Sequence, residues 1–244
     1  METLAVDIWG QYAHYKKIFA TTSAVSYLIP PKTTLYGWLG AILGLDKASY
    51  LDHFKEESCR LAIQLRPYPG QEEVRLQIAR VPHNLRPNLK REVDNRKPTL
   101  MEFVRQPSYR LFVWHQDEGI RQELRERLAA HQPAYTPTLG LGNLLANFAF
   151  VGNFSAAEVA APEKARQIQS VLPRSFFKGF DTDSLNTAIE TAHEIVEQSM
   201  YAVEMDKERN VTRRDDILIE RTGKAIPAFV TSCHQIDGQD VILF

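Results

Sequence analysis

Tyr12, His14, Tyr15, Lys16 and Lys17 stand within the run QYAHYKK. Rings and ammonium groups at that density suit a single-stranded polyanion: cations track the phosphates and rings stack the bases, each stack contributing about 1 to 3 kcal/mol. An imidazole beside a phenol and an amine also fits a second chemistry. It can be written as the base, acid and cation for attack of a ribose 2′-hydroxyl on phosphate. His14 with Tyr12 and Lys16 is one such set, and Tyr36 with His83 is another.

A second charged cluster lies further along. From Arg80 to Arg110 there are eight basic residues (Arg80, Arg86, Lys90, Arg91, Arg96, Lys97, Arg105, Arg110) against three acidic ones. From Gln11 to Thr34 there are three lysines (Lys16, Lys17, Lys32) and no acid, whereas Asp181 to Glu220 holds eleven acidic residues and four basic ones. The formal net charge of -1 therefore conceals two basic segments, which point to a local polyanion site.

Other chemistries lack their residues. Cys59 and Cys233 are far apart with no CxxC spacing, and no HExxH, paired-carboxylate or Ser/His/Asp pattern occurs, so no metal or cofactor is expected. The start METLAVDIWG has no basic segment before an apolar core, which predicts a cytoplasmic address. The apolar run from Leu35 ends at Asp46 and Lys47, about half the roughly 20 residues a membrane span needs. Lys32, Thr33 and Thr34 precede the glycines of that run, the reverse of a nucleotide-binding P-loop.

These residues need elements to place them. Pro30 and Pro31 keep the chain extended, Thr33 or Thr34 can cap, and a helix follows from Leu35. Gly37, Gly40, Ala41 and Gly44 share one of its faces, so a strand or a nucleic-acid backbone approaches closely there, while the open amides at its start favour an anion. Strands are expected at Leu4–Trp9, Cys59–Leu65, Val74–Val81, Tyr109–Trp114 and Asn147–Asn153, with helices near Ala48–Glu57 and Gly119–His131. That order predicts an α+β fold, ferredoxin-like or RRM-like, with a basic β-hairpin inserted after the third strand. The stretch EKARQIQSVLP reads as a crossover, Asp183–Val196 as a helix, and Tyr201 to Phe244 as short strands forming a small β appendage. In LGLGN, Gly140 and Gly142 read as a tight turn, either structural or in contact with RNA or a neighbouring subunit.

The stretches DIWGQYAHYKKIFATTSAVSYLIPPKTTLYGWLGAILGL, PSYRLFVW, YTPTLGLGNLLANFAFVG and the final VILF resemble, in that order, the Cas five family of CRISPR-associated proteins, most nearly its type I-B form. The resemblance is weakest from Ala161 to Thr191. It implies a RAMP-superfamily domain over residues 1–200, a thumb hairpin at about 83–107 and an appendage over 201–244. It also implies a non-catalytic subunit at the foot of the Cascade complex, holding the five-prime handle of the CRISPR RNA. Its partners would be the backbone and large subunits, with target DNA in the same complex and no membrane. Arg86, Lys90, Arg91, Arg96 and Lys97 would lie near the thumb's tip, and Arg105, Tyr109 and Arg110 at its base. Lys16, Lys17, Thr21, Thr22 and the amides after Lys32, with Thr33 and Thr34, would face it, and Tyr12, His14 and Tyr15 are stacking candidates. Tyr109 is alternatively a core strand residue. Type I-C members cut precursor RNA without metal, so a metal-independent endoribonuclease is the alternative function.

Overall fold

The computed structural model describes residues 1–17, 24–85, 97–186 and 193–244. Strand dominates, and the helices are few. The chain opens with β1 (Glu2–Trp9), two short strands β2 (Tyr12–Ala13) and β3 (Tyr15–Lys16), and β4 (Ser26–Tyr27). Helix α1 (Lys32–Leu43) and the single turn α2 (Tyr50–His53) lead to β5 (Cys59–Leu65). A hairpin of β6 (Gln77–Leu85) and β7 (Lys97–Arg105) precedes β8 (Ser108–His115), α3 (Glu118–Ala129) and β9 (Asn147–Ala160). In the main sheet β1 lies between β8 and β9, and β8 pairs on its far side with β5, these three pairings all antiparallel. The unit is strand, helix, strand, strand, helix, strand, with the fourth strand beside the first and the second at the edge.

Helix α1 begins without the expected threonine cap. Pro31 is the capping residue and no side chain bonds back, while Gly44, at φ 77°, ends the helix with its amide on the Gly40 carbonyl. Leu35, Leu39 and Ile42 enter the core. The face of small residues meets a side chain rather than a strand: a Cβ on Gly40 would lie 3.1 Å from the Cβ of Tyr50. Gly40→Leu is therefore expected to overpack by about 1 to 3 kcal/mol, lowering the melting temperature of the free protein. An unchanged melt would mean that Tyr50 yields without cost. Helix α3 is more ordinary: Asp117 caps it by accepting from the amides of Gly119 (2.7 Å) and Ile120 (3.3 Å).

The remaining chain departs most from expectation. The crossover segment yields β10 (Arg166–Ile168) and β11 (Leu172–Pro173), followed by β12 (Phe177–Phe180) and the short α4 (Thr182–Asn186). The predicted helix over Asp183–Val196 is described only as far as Asn186; residues 187–192 lie outside the described residues, and its last two positions belong instead to β13 (Ile195–Met205). It pairs with β14 (Val211–Glu220), and β15 (Ile226–Val230), β16 (Ser232–Ile236) and β17 (Gln239–Val241) complete the chain. The main sheet runs β12-β15-β10-β17-β16-β9-β1-β8-β5. Residues 201–244 are thus not a separate appendage: β13 runs through position 200, and β15 to β17 extend the main sheet because β9 continues beyond β1 to pair with β16. The far edge of β5 is paired too, since Leu61 and Phe244 exchange amide bonds of 3.0 and 3.1 Å.

Two further expectations need correction. Val74–Val81 is no strand of the main sheet; pairing begins at Gln77 and joins it to Arg105, so this segment is the first arm of the hairpin. The expected helix at Ala48–Glu57 shrinks to one turn, because the chain is already extended at Phe54.

One face of the sheet packs on α1 and α3 through Leu4, Val6, Leu111 and Leu128, among others. On the other face Ala5, Ala62 and Phe112 are covered by Ile236, Val241 and Leu243.

Candidate nucleic-acid interface

The two basic segments meet at the foot of the hairpin. β2 adds to β7 as a third strand, with Tyr12 opposite Arg105, and Gln106 donates its amide to the Gln11 carbonyl at 2.9 Å. Tyr12 is 42% exposed, its ring edge-on to Phe103 at 6.1 Å; its pairing partner Arg105 is exposed, and so is Lys16 on β3. β3 and β4 pair Tyr15 with Tyr27 and Lys16 with Ser26. Lys17 bonds through its amide to the Val25 carbonyl (2.9 Å) and places its ammonium 5.3 Å from the centre of the Tyr27 ring. Glu102 of β7 holds Arg80 at 3.0 Å and accepts from the Ser26 amide, tying β4 to the hairpin.

Several predicted contacts lie elsewhere. His14 is buried: its Nδ1 sits 2.7 Å from the Glu102 carbonyl, which can only accept, so that nitrogen carries the proton. Its ring leans on Phe103 at 5.7 Å and is not presented to a base. Tyr109 is a core residue whose hydroxyl donates to the Leu28 carbonyl at 2.7 Å, and burial pushes its pKa up. Tyr15 is buried as well. Arg110 forms two bonds, of 2.7 and 2.9 Å, to the Asp7 carboxylate across the β1–β8 pairing, so its charge is matched within the sheet.

Lys32 is fully buried between the rings of Tyr36 and Phe244, each centre 5.5 Å from its Nζ. Among the described residues the nearest carboxylate oxygen belongs to Glu204, at 4.0 Å, and Nζ has no hydrogen-bond partner. Burial pulls the lysine down to about 8, and burial raises Glu204 in turn. It therefore cannot belong to a wall facing the thumb. Of the amides after it, those of Thr34 and Leu35 bond to the Pro31 carbonyl at 2.8 and 3.0 Å. Thr21, Thr22, Arg86, Lys90, Arg91 and Arg96 lie outside the described residues; the backbone of Lys97 opens β7 opposite Leu85.

The small-residue face of α1 lines a cavity of about 560 Å³, with Thr34, Gly37, Gly40 and Ala41 as its floor. Lys47, Arg209 and Tyr135 stand on its walls. Tyr135, 57% exposed, is fixed by its backbone: the amides of Ala134 and Tyr135 bond to the carbonyls of Ile42 and Ala41 at 3.1 and 2.9 Å. Gly140, also on the lining, joins this cavity to the basic segment. The Leu139 carbonyl accepts the His14 amide at 3.1 Å, and a Cβ on Gly140, at φ 100°, would collide with the His14 carbonyl oxygen. The glycine turn is thus real, and its role here is close approach to β2 and β3.

Sequence reasoning missed Tyr135, Lys47 and Arg209. An aromatic between Pro133 and Pro137, in a stretch with no helical or strand period, was the available signal for Tyr135. No local pattern marks Arg209, which stands at the cavity on a β13–β14 turn anchored by Lys207 on Asp52 (2.8 Å) and the neighbouring Arg213 on Glu56 (2.7 Å), and which itself donates to the Lys47 carbonyl at 3.4 Å.

Aromatic planes, cations, hydroxyls and a concave floor make a site suited to single-stranded nucleic acid. Residues 3–218 match the family model described as CRISPR-associated protein (Cas_Cas5). No curated protein sequence gives a significant match. Among solved structures, a CRISPR protein from Archaeoglobus fulgidus aligns at 13% identity over 100% of this chain and 99% of that one, TM-score 0.56, a likeness of fold. A chain of a CRISPR RNA-guided surveillance complex aligns at 12% identity over 93% and 91%, TM-score 0.47. A further Cas protein aligns at 14% identity and TM-score 0.36; the match covers 58% of this chain and 57% of that one.

Proposed function

The chain belongs to the Cas_Cas5 family of CRISPR-associated proteins, and on that premise we propose that it is a non-catalytic RNA-holding subunit of a type I Cascade complex. It holds the five-prime handle of the CRISPR RNA between the foot of the thumb hairpin and the α1 cavity. In the same complex it meets the backbone and large subunits and supports recognition of target DNA. The domain carrying this grip is a ferredoxin-like RAMP palm, a reading supported by the sheet order β9-β1-β8-β5. The observation that carries the proposal is the joining of exposed Tyr12, Lys16 and Arg105 to the α1 cavity through the Gly140 turn.

The geometry also favours this side of the sheet over the other. An RRM commonly stacks bases on its open sheet face. Here that face has Phe112 under Ile236, Val241 and Leu243, and an Arg110–Asp7 pair beside them.

Holding is favoured over cutting because His14 and Tyr36, one member of each candidate acid–base set, are enclosed. His14 is buried against Glu102 and Phe103, and Tyr36 is buried with its hydroxyl on the Cys59 carbonyl at 3.3 Å. A general base must come within about 2.6–3.2 Å of the 2′-hydroxyl it activates. The test is incubation of purified protein with labelled repeat RNA in EDTA, scored for retention and for products. Retention without products is expected. Metal-independent products, lost in His14→Ala, would move the protein to the endoribonuclease reading.

A further inference from the structure

Strand β13 touches the segment leading into α1 at successive points. The Tyr27 hydroxyl donates to the Met200 carbonyl at 2.7 Å, the Leu28 amide to Gln198 Oε1 at 2.9 Å, and the Tyr201 hydroxyl to the Pro30 carbonyl at 2.6 Å. Glu204 then stands 4.0 Å from Lys32. Gln198 and Tyr201 are buried, and the Tyr27 and Tyr201 rings meet edge to face at 5.9 Å.

A regular strand could not make this row. Residues three apart point to opposite faces of a pleated strand, yet Gln198 and Tyr201 address the same segment. The pairing with β14 shifts register between these two residues, and Met200 there adopts φ 61°. A left-handed methionine is an unfavourable backbone state, and bulges of this kind re-aim side chains. The segment that benefits has little ladder of its own, since β4 is two residues long.

We infer that β13 is a positioning strand for the RNA interface. It fixes Tyr27 to Lys32, and thereby sets how Lys16, Lys17 and the first turn of α1 face the bound strand. Tyr27 is the transmitting residue: β13 holds its hydroxyl, its ring lies beneath the Lys17 ammonium, and its backbone pairs with Tyr15 next to Lys16. Tyr201, Gln198 and Tyr27 are thus positioning residues that need not touch RNA. This inference rests on the RNA-holding function proposed above.

Tyr201→Phe and Tyr27→Phe each remove one hydroxyl and keep the ring. In either variant, amide hydrogen exchange across residues 26–36 of the free protein is expected to accelerate. Affinity for repeat RNA should fall about two- to tenfold, the range of one lost hydrogen bond, with the salt slope unchanged because no phosphate contact is lost. A purely structural role would leave affinity at the wild-type value while exchange accelerates, and would overturn the inference. Unchanged exchange in this segment would overturn it as well. Failure of the underlying function looks different: wild-type protein then retains no RNA, and the inference falls with it even though exchange still responds to Tyr201→Phe.

Discussion

Replacing Tyr12, Lys16 and Arg105 together with alanine is expected to weaken retention of single-stranded repeat RNA by about a hundredfold or more near 0.1 M salt. One stacked base contributes about 1 to 3 kcal/mol, roughly thirtyfold at the middle of that range. Each phosphate neutralised on a single strand changes log affinity by about 0.7 per tenfold change in salt, so two cations supply about 1.4 in slope. The variant should therefore show a flatter salt dependence as well as a weaker complex. Because all three side chains are exposed, the melting temperature should barely move. Binding measured across a salt series separates the contributions: Tyr12→Ala alone should shift affinity at constant slope, and the two cations should alter the slope. An unaltered slope in the triple variant would show that the foot of the hairpin does not follow the phosphate backbone.

Gly140→Ala is expected to be the most damaging single change to the folded state, by about 3 kcal/mol or more. The position has φ 100°, which costs any residue with a Cβ, and the added methyl would strike the His14 carbonyl, a backbone atom that cannot rotate away. Moving β2 and β3 aside would disturb the pairing of Tyr12 with Arg105 and of Lys16 with Ser26. Gly142→Ala is the control, since a Cβ there meets nothing within 4 Å. Thermal or urea melts of the two variants should differ clearly, and equal melts would contradict the tight approach of this turn to His14.

Where a segment's surroundings come from its own sequence neighbourhood, it was legible. β1, α1 and α3 follow from alternation and helical period, and the hairpin from its turn residues and charge. Val74–Val81 misled because a hairpin arm and a sheet strand share the same alternation; which partner it takes is a tertiary choice. Lys32 misled for a related reason. At the start of a helix after two prolines it reads as exposed, but Glu204 and Phe244, some 170 and 210 residues later, close over it. His14 likewise looks like a base in a basic run, and only the return of β7 makes it a buried donor to Glu102. The cavity was half legible: its glycine floor stood out in the sequence, whereas Arg209 arrives on a turn anchored by distant ion pairs.

The pairing of Leu61 with Phe244 bears on the order in which the molecule can be made. β5 is made well before residue 244, so its outer edge gains these bonds late, and the residues that cover Phe112, from Ile236 to Leu243, come late as well. Arg209 and the β13 row that steadies Tyr27 also come from the last fifth of the chain. Contacts of such long sequence separation slow folding, and they leave a nascent N-terminal part with an open strand edge and an uncovered apolar face. Until β13 to β17 have been made and have docked, the preceding segments are therefore exposed to aggregation through that edge and that face.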